Sequence, residues 1–349
     1  MSLRPTSLDN YIGQEHIKEL LRVSIEAAKK KNRALGHVLL TGPAGIGKTT
    51  LAFIIANEMG VNCRVINGAM IKELGELERI LENLSPFDVL FIDEIHRLPT
   101  RLEEFLYHPM EDGFLTREVE EVEPSPLAKL YWSYGEEMRK MFEMTYIGDW
   151  RKKMWQKTGR FRTETVDLPP FTLIGATTQP GDLSKPLRDR FPLMLPELQY
   201  YTVDELVLMA YQKAEILETL IDLDAAERIA QCSRGVARIC VNLVLRCHDL
   251  AIVVGSPKIS LNIVNQALRN LCIDEKGLTL QDREYLTVLV DGMPRGVGTL
   301  SHTLNKDKNT IETVIEPYLI QLRFIERTPR GRVITEAGKN YIRRGLGND

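Results

Sequence analysis

The sequence contains no Cys-x-x-Cys pair and no cysteine spacing suited to zinc. Its five cysteines, Cys63, Cys232, Cys240, Cys247 and Cys272, therefore read as reduced and mostly buried thiols of a cytosolic protein. It also lacks an apolar run long enough to span a membrane. The first residues, with Arg4 and Pro5, lack the apolar core of a signal segment, so cytoplasmic residence with no membrane association is expected. Nor is there an excess of positive charge. With 45 Lys and Arg against 48 Asp and Glu, the formal net charge is -3. Contact with nucleic acid must then come from a local basic surface or from several subunits acting together. What is present, 44% hydrophobic and 27% charged residues over 349 positions, is the composition of a soluble globular chain of two or three domains.

The chain is organised around Gly42-Pro43-Ala44-Gly45-Ile46-Gly47-Lys48-Thr49. It satisfies G-x-x-x-x-G-K-[ST], with the apolar run Val38-Leu39-Leu40 before it and a helical pattern from Thr50 to Ala56 after it. Glycines let the backbone turn until its N–H groups surround phosphate oxygens, and the helix N-terminus adds a positive dipole. Lys48 is expected on the β and γ phosphates and Thr49 on magnesium. A second motif, Val89-Leu90-Phe91-Ile92 followed by Asp93-Glu94, places one carboxylate to hold the metal and its neighbour to orient attacking water. Read alone, the acidic pair would also serve as a helix cap.

Upstream, Tyr11 and Ile12 beside Gly13 suit either an adenine ring or the core. Cys63 to Asn67 reads as a strand, Met70 to Asn83 as a helix, and Phe171 to Thr178 as a buried strand ending in two hydroxyls. The order implies a parallel α/β domain with ligands at the carboxyl ends of its strands. Thr178 would then meet the γ phosphate or the attacking water. Leu187-Arg188-Asp189-Arg190-Phe191 offers arginines at a domain edge, where one can enter a neighbour's site and stabilise developing charge, or simply form a surface ion pair. From Val203 to Ile273 the pattern is helical, with Cys240, Val244 and Cys247 at core spacing. From about Lys276, three short helical runs precede Phe324 to Ile334, two strands around a Pro-Arg-Gly turn. That combination suggests a winged helix whose Arg327, Arg330 and Arg332 meet phosphates or the minor groove, or else a solvated hairpin.

Taken together, these stretches, with Glu316-Pro317-Tyr318-Leu319, closely resemble the RuvB family of Holliday-junction branch-migration ATPases, members of the AAA+ class. The resemblance implies an α/β AAA+ P-loop domain with a parallel sheet over 1–198, a helical lid over 199–275 and a C-terminal winged helix over 276–349. It implies ATP or ADP and Mg2+ as ligands, a hexameric ring on duplex DNA, four-way junction arms as substrate and, as partner, a RuvA-like junction-binding protein or a substitute for it. Among site residues it places Leu3, Arg4, Tyr11, Ile12, Gly45, Lys48, Thr49, Thr50, Glu111, Asp112, Gly113, Tyr200 and Arg238 on the nucleotide. Thr49 and Asp93 fall to the metal, and Lys48, Asp93, Glu94, Thr178 and Arg190 to catalysis, with Arg190 rather than Arg188 as the finger given to an adjacent subunit. Arg327, Arg330 and Arg332 fall to DNA.

The sequence departs from the family pattern at Ala44, usually Pro, at Gln179, usually Arg, and at Val236-Ala237, usually Thr-Pro. The largest departure is the segment from about 114 to 167, where the family has a short β-hairpin that docks on RuvA. Here it carries all three tryptophans, Trp132, Trp150 and Trp155, interleaved with cations, as in Trp150-Arg151-Lys152-Lys153-Met154 and Lys157 to Arg162. Such a mixture suits a protein-binding surface or stacking on exposed bases, or a self-packed excursion. The alternative activity is a clamp-loader or helicase-loader ATPase that remodels a protein on DNA.

Overall fold

Short apolar runs bounded by turns form the strands that carry the chemistry, and amphipathic helices return the chain between them. In a computed structural model of the protein, which describes residues 3–133, 135–136 and 155–345, the strands begin with β1 (Val38–Thr41), β2 (Cys63–Asn67) and β3 (Val89–Asp93). There follow β4 (Phe114–Pro124), β5 (Trp155–Asp167), β6 (Thr172–Thr177) and β7 (Leu193–Met194). Five of them make one sheet in the order β2-β3-β6-β1-β7, with β1 parallel to β7 and β3 parallel to both β2 and β6. The chain divides into two compact units, Ser24–Leu39 with Met59–Leu195, and Met1–Val23 with Leu40–Glu58 and Pro196–Asp349.

In the first unit, β3 and β6 are the hydrophobic centre. Val89, Leu90, Phe91 and Ile92 are fully enclosed, and every residue of β6 is buried, as continuous apolar strands covered on both faces must be. β2 lies at the sheet edge with Arg64 and Val65 exposed. His37, just before β1, is a half-buried polar tie: its Nδ1 accepts from the Leu173 N–H at 2.9 Å and its Nε2 donates to the Met110 carbonyl at 3.0 Å. The expected helix from Met70 is shorter, Leu74–Glu82. Its missing first turn is used otherwise: the Asn67 side chain accepts from Ala69 N–H and the Gly68 N–H donates to the Asp93 carbonyl at 2.8 Å.

The flanks of the 114–167 segment form an antiparallel ribbon. β4 pairs with β5 from Phe114↔Asp167 to Pro124↔Trp155, with a register shift between Glu120 and Val122. Arg117 ties the ribbon down, bonding Glu164 across the strands at 3.0 Å and Glu82 of the Leu74–Glu82 helix at 2.7 Å. A helix, Pro126–Ser133, follows β4 and exposes Leu130 and Trp132. The stretch Trp150-Arg151-Lys152-Lys153-Met154 lies outside the described residues.

The second unit holds the glycine loop and its helix Lys48–Met59, which buries Leu51, Ala52, Ile54, Ile55 and Ala56. It continues into four helices, Val203–Ile216, Leu223–Cys232, Ala237–Val253 and Leu261–Asn270, the first started by a capping box between Thr202 and Glu205. A two-residue parallel ladder joins β8 (Leu220–Ile221) to β9 (Lys258–Ile259). Cys240 and Cys247 lie in this core, and burial pushes both thiols up to about 12, which removes them from thiolate chemistry. Among the described residues no group of histidines, cysteines and acids could hold a metal, and no helix is long and apolar enough to cross a membrane.

The last part packs Leu286, Leu300, Ile311, Ile315, Leu319 and Ile334 into a separate core under β10 (Ile325–Thr328) and β11 (Gly331–Ile334). Its third helix starts at Lys308 and passes through a π turn at Ile311–Ile315 before Glu316–Gln321. Pro317 has no N–H to give to a carbonyl one turn earlier, and a locally widened turn accommodates that loss.

Candidate functional site

The glycine loop takes the conformation its glycines permit. Gly45 and Gly47 have φ of +77° and +108°. A Cβ at Gly47 would sit 2.7 Å from the Tyr11 hydroxyl, and one at Gly45 would sit 2.9 Å from the Val236 side chain, so both positions demand glycine twice over. Lys48 is buried and its ammonium donates to the Gly42 and Pro43 carbonyls at 2.7 and 2.8 Å, which holds the cation over the loop. Thr49 and Thr50 open the following helix half-buried. A fixed cation, free-turning backbone and helix N-terminus fit a polyphosphate chain.

The same unit brings the expected adenine-end and lid residues to this loop. The Tyr201 hydroxyl donates to the Ile46 carbonyl at 2.9 Å, and the Tyr11 hydroxyl lies 3.3 Å from that carbonyl and 3.2 Å from Tyr201. Burial pushes the Tyr11 phenol up to about 12 and raises Tyr201 further, so both remain protonated. Gln14 clasps the backbone of Gln199 from both sides, donating to its carbonyl at 2.8 Å and accepting its N–H at 3.2 Å. Leu198 N–H donates to the Thr41 carbonyl, Tyr201 N–H to Gly235, and Arg238 N–H to Gly45 at 3.0 Å. Arg238 leaves its side chain exposed beside the loop. Tyr200 is 38% exposed and packs against Gly235, Arg4 lies over the Phe53 ring, and Leu3 and Ile12 are half-buried.

The acidic residues occupy the other unit. Asp93 ends β3 half-buried, and its carboxylate accepts the Glu94 N–H at 3.1 Å. Glu94 has a left-handed backbone, φ 54° and ψ 43°, unusual for a side chain of its size. Behind it, Gly68 packs so closely that a Cβ there would lie 2.6 Å from the Glu94 carbonyl oxygen. The Glu94 carboxylate is 35% exposed and lies 3.5 Å from Nε2 of His96. At the end of β6, Thr177 is buried and its hydroxyl is 2.9 Å from His96 Nδ1, whereas Thr178 is half-exposed. The Asp93 carboxylate in this unit and the Thr49 hydroxyl in the other are each, taken singly, a hard oxygen donor of the kind magnesium takes.

Arg190 is held at the unit's edge by three contacts. It donates to Glu111 at 2.9 Å and to the Pro186 carbonyl at 2.8 Å, and its guanidinium lies 4.1 Å over the Tyr107 ring. Asp112 pairs with His108, and Gly113, at φ 72°, turns the chain into β4. Arg188 reaches the Pro180 carbonyl, at 3.5 Å.

In the wing, Arg327 and Arg332 face each other across the strands and converge on Glu316, a fully buried carboxylate. Arg327 Nε donates to it at 2.7 Å, Arg332 Nε at 2.9 Å and the Tyr285 hydroxyl at 2.9 Å, while Arg332 also reaches Glu312 at 2.5 Å. Arg330, at the two-residue turn, is exposed and makes no ion pair within the chain among the described residues. Tyr201, Tyr107, His96 and Thr177 take places here that the motifs do not assign. His96, two positions after Glu94, and Thr177, one of the two hydroxyls that end the strand, carry a local signal.

Comparison with known proteins identifies three successive regions. A model described as the Holliday junction DNA helicase RuvB P-loop domain matches residues 3–129 and 145–196. The RuvB AAA lid domain matches 201–274, and the RuvB C-terminal winged helix domain matches 275–343. Residues 130–144, within the 114–167 segment, fall between the two matched stretches of the first domain. The chain is 43% identical over 345 residues to the Holliday junction branch migration complex subunit RuvB of Leuconostoc mesenteroides, covering 98% of this chain and 88% of that protein. The solved Thermotoga maritima RuvB Holliday junction branch migration motor is 38% identical with a TM-score of 0.78, covering 98% of each chain. A solved mutant of the Thermotoga maritima RuvB, also 38% identical, gives a TM-score of 0.79, covering 97% of this chain and 98% of that one.

Proposed function

The chain belongs to the RuvB family, and from that premise we propose that it is an ATP-driven motor that draws duplex DNA and thereby moves a Holliday junction. The observation that carries the reading is the full set of three RuvB regions in order, together with a formed phosphate loop and the Asp93-Glu94 pair at the end of β3. The C-terminal winged helix favours this motor over the loader alternative.

On this reading the loop amides and Lys48 hold the phosphates, and Tyr11 and Ile12 with Arg4 and Leu3 border the adenine. Tyr200 and Arg238 bind from the lid. Magnesium, held by Thr49 and Asp93, would screen the β and γ oxygens. Glu94 orients and deprotonates the attacking water, and Thr178 senses the γ phosphate. Arg190, presented with Glu111, Asp112 and Gly113 at an exposed edge, serves the nucleotide of an adjacent subunit, which requires a ring, a hexamer by family resemblance. Arg330 is the wing's foremost phosphate contact, since the donors of Arg327 and Arg332 are largely spent on Glu316 and Glu312. A RuvA-type protein is the expected partner at the β4–β5 ribbon, and the cytoplasm the expected compartment.

The test is ATP-dependent dissociation of a synthetic four-way junction, with and without a RuvA-type partner, against Lys48→Ala as the blank. Junction movement lost in Lys48→Ala supports the motor. ATP hydrolysis without movement in either mixture would overturn it.

A further inference from the structure

The Glu94 carboxylate has little to hold it. Its backbone is fixed by Gly68 behind it and by fully buried Ile95 after it, but its side chain is about one-third exposed. Among the described residues its one side-chain ion-pair partner is His96, itself 7% exposed. His96 is in turn held from the end of β6. Gln179 N–H donates to the Thr177 hydroxyl oxygen at 2.9 Å, and that hydroxyl faces His96 Nδ1 at 2.9 Å. A neutral imidazole has one N–H, and the ring's other nitrogen faces a carboxylate. The proton therefore belongs on Nε2, toward Glu94, and Nδ1 accepts from Thr177. The two formed bonds run in one direction, from Gln179 to Thr177 and from Thr177 to His96, and they aim the remaining imidazole N–H at Glu94.

We propose that His96 is a positioning residue for ATP hydrolysis, which sets the rotamer of Glu94 and couples it to the end of β6, beside Thr178. At 3.5 Å the His96–Glu94 contact is longer than a formed hydrogen bond, and a small side-chain rotation closes it. A shift of the Thr177–Thr178 backbone would move Thr177, then the imidazole, then the carboxylate. The γ-phosphate side of the site and the group that activates water would thus be set together. This rests on the reading of Glu94 as the group that activates water.

The two nitrogens can be separated by substitution. In His96→Asn the side-chain oxygen can replace Nδ1 toward Thr177, but nothing reaches Glu94. In His96→Gln the amide N–H can replace Nε2. Steady-state ATPase kinetics on DNA are expected to show kcat falling about tenfold in His96→Asn with KM for ATP within about twofold, and recovering to within about threefold of the parent in His96→Gln. Thr177→Val should lower kcat in the same direction, and it supplies the test if His96→Asn does not fold. In a Glu94→Gln background, His96→Asn should cause no further loss. Equal losses in His96→Asn and His96→Gln, a change confined to KM, or an unchanged kcat in His96→Asn would overturn the proposal. If Glu94→Gln itself hydrolyses ATP at the parent rate, the reading of Glu94 fails first; if Glu94→Gln is slow and His96→Asn is not, only the positioning role fails.

Discussion

Glu316 in the winged helix and Glu94 after β3 carry the same carboxylate in opposite settings. Glu316 is wholly buried, and two arginines and a tyrosine satisfy its oxygens. Glu94 stays partly open and meets an imidazole at 3.5 Å. The first arrangement removes a charge from water and fixes it so that it holds a hairpin on a helix. The second leaves a carboxylate open to solvent and to whatever binds beside it. A carboxylate's partners and exposure, more than its identity, separate a structural charge from a reactive one.

The sharpest way to break this contrast is the same substitution at both places. Glu94→Gln should retain nucleotide binding and lose about 10²–10⁴ in hydrolysis rate, measured as steady-state ATPase alongside equilibrium nucleotide binding. Glu316→Gln should keep ATP turnover and act on wing stability instead, and loss of turnover in its folded form would erase the distinction. Next in size, Arg332→Met leaves the buried Glu316 with one guanidinium fewer and should cost ~3 kcal/mol, read as a lower urea midpoint for the winged-helix transition. A smaller effect is expected at the turn: Arg330→Ala should leave that midpoint in place while weakening duplex binding and reducing the salt slope by about one. If Arg330→Ala destabilises the wing while Arg332→Met affects only DNA, the assignment of roles within the wing is reversed.

The smallest effect is a pH dependence. Burial holds the His37 imidazole below its ordinary value of 6.5, and Nδ1 must stay unprotonated to accept from Leu173 N–H. The unfolded chain therefore binds this proton more readily than the folded one. The contribution is present above pH 6.5 and is lost as pH falls through the folded value. The urea midpoint of the parent should drop below pH 6.5 more steeply than that of His37→Gln.

The loop at 42–49, the strand before Asp93 and the helical lid were legible because each is written in contiguous residues. The limit was reached wherever partners lie far apart. Tyr200 and Tyr201 are indistinguishable by type, and only the direction each takes sends Tyr201 inward to Ile46. Thr177 and Thr178 likewise alternate, one toward His96 and one toward the half-exposed face. The wing arginines read as equal, yet a two-residue turn pairs Arg327 with Arg332, and like charges placed opposite each other need an acid between them. That inference was available from the spacing. The ribbon's length was hidden because β4 and β5 join across residues distant in sequence.

The stretch from Leu198 to Tyr201 bears on how motion would pass through such a protein. It is fastened to Thr41, Gln14, Gly235 and Ile46 by separate hydrogen bonds. A slack tether lets the part beyond it swing without consequence. A segment pinned at four points would act as a stiff axle, through which a turn of the helices that follow it would strain the phosphate loop and a change at the loop would turn the helices.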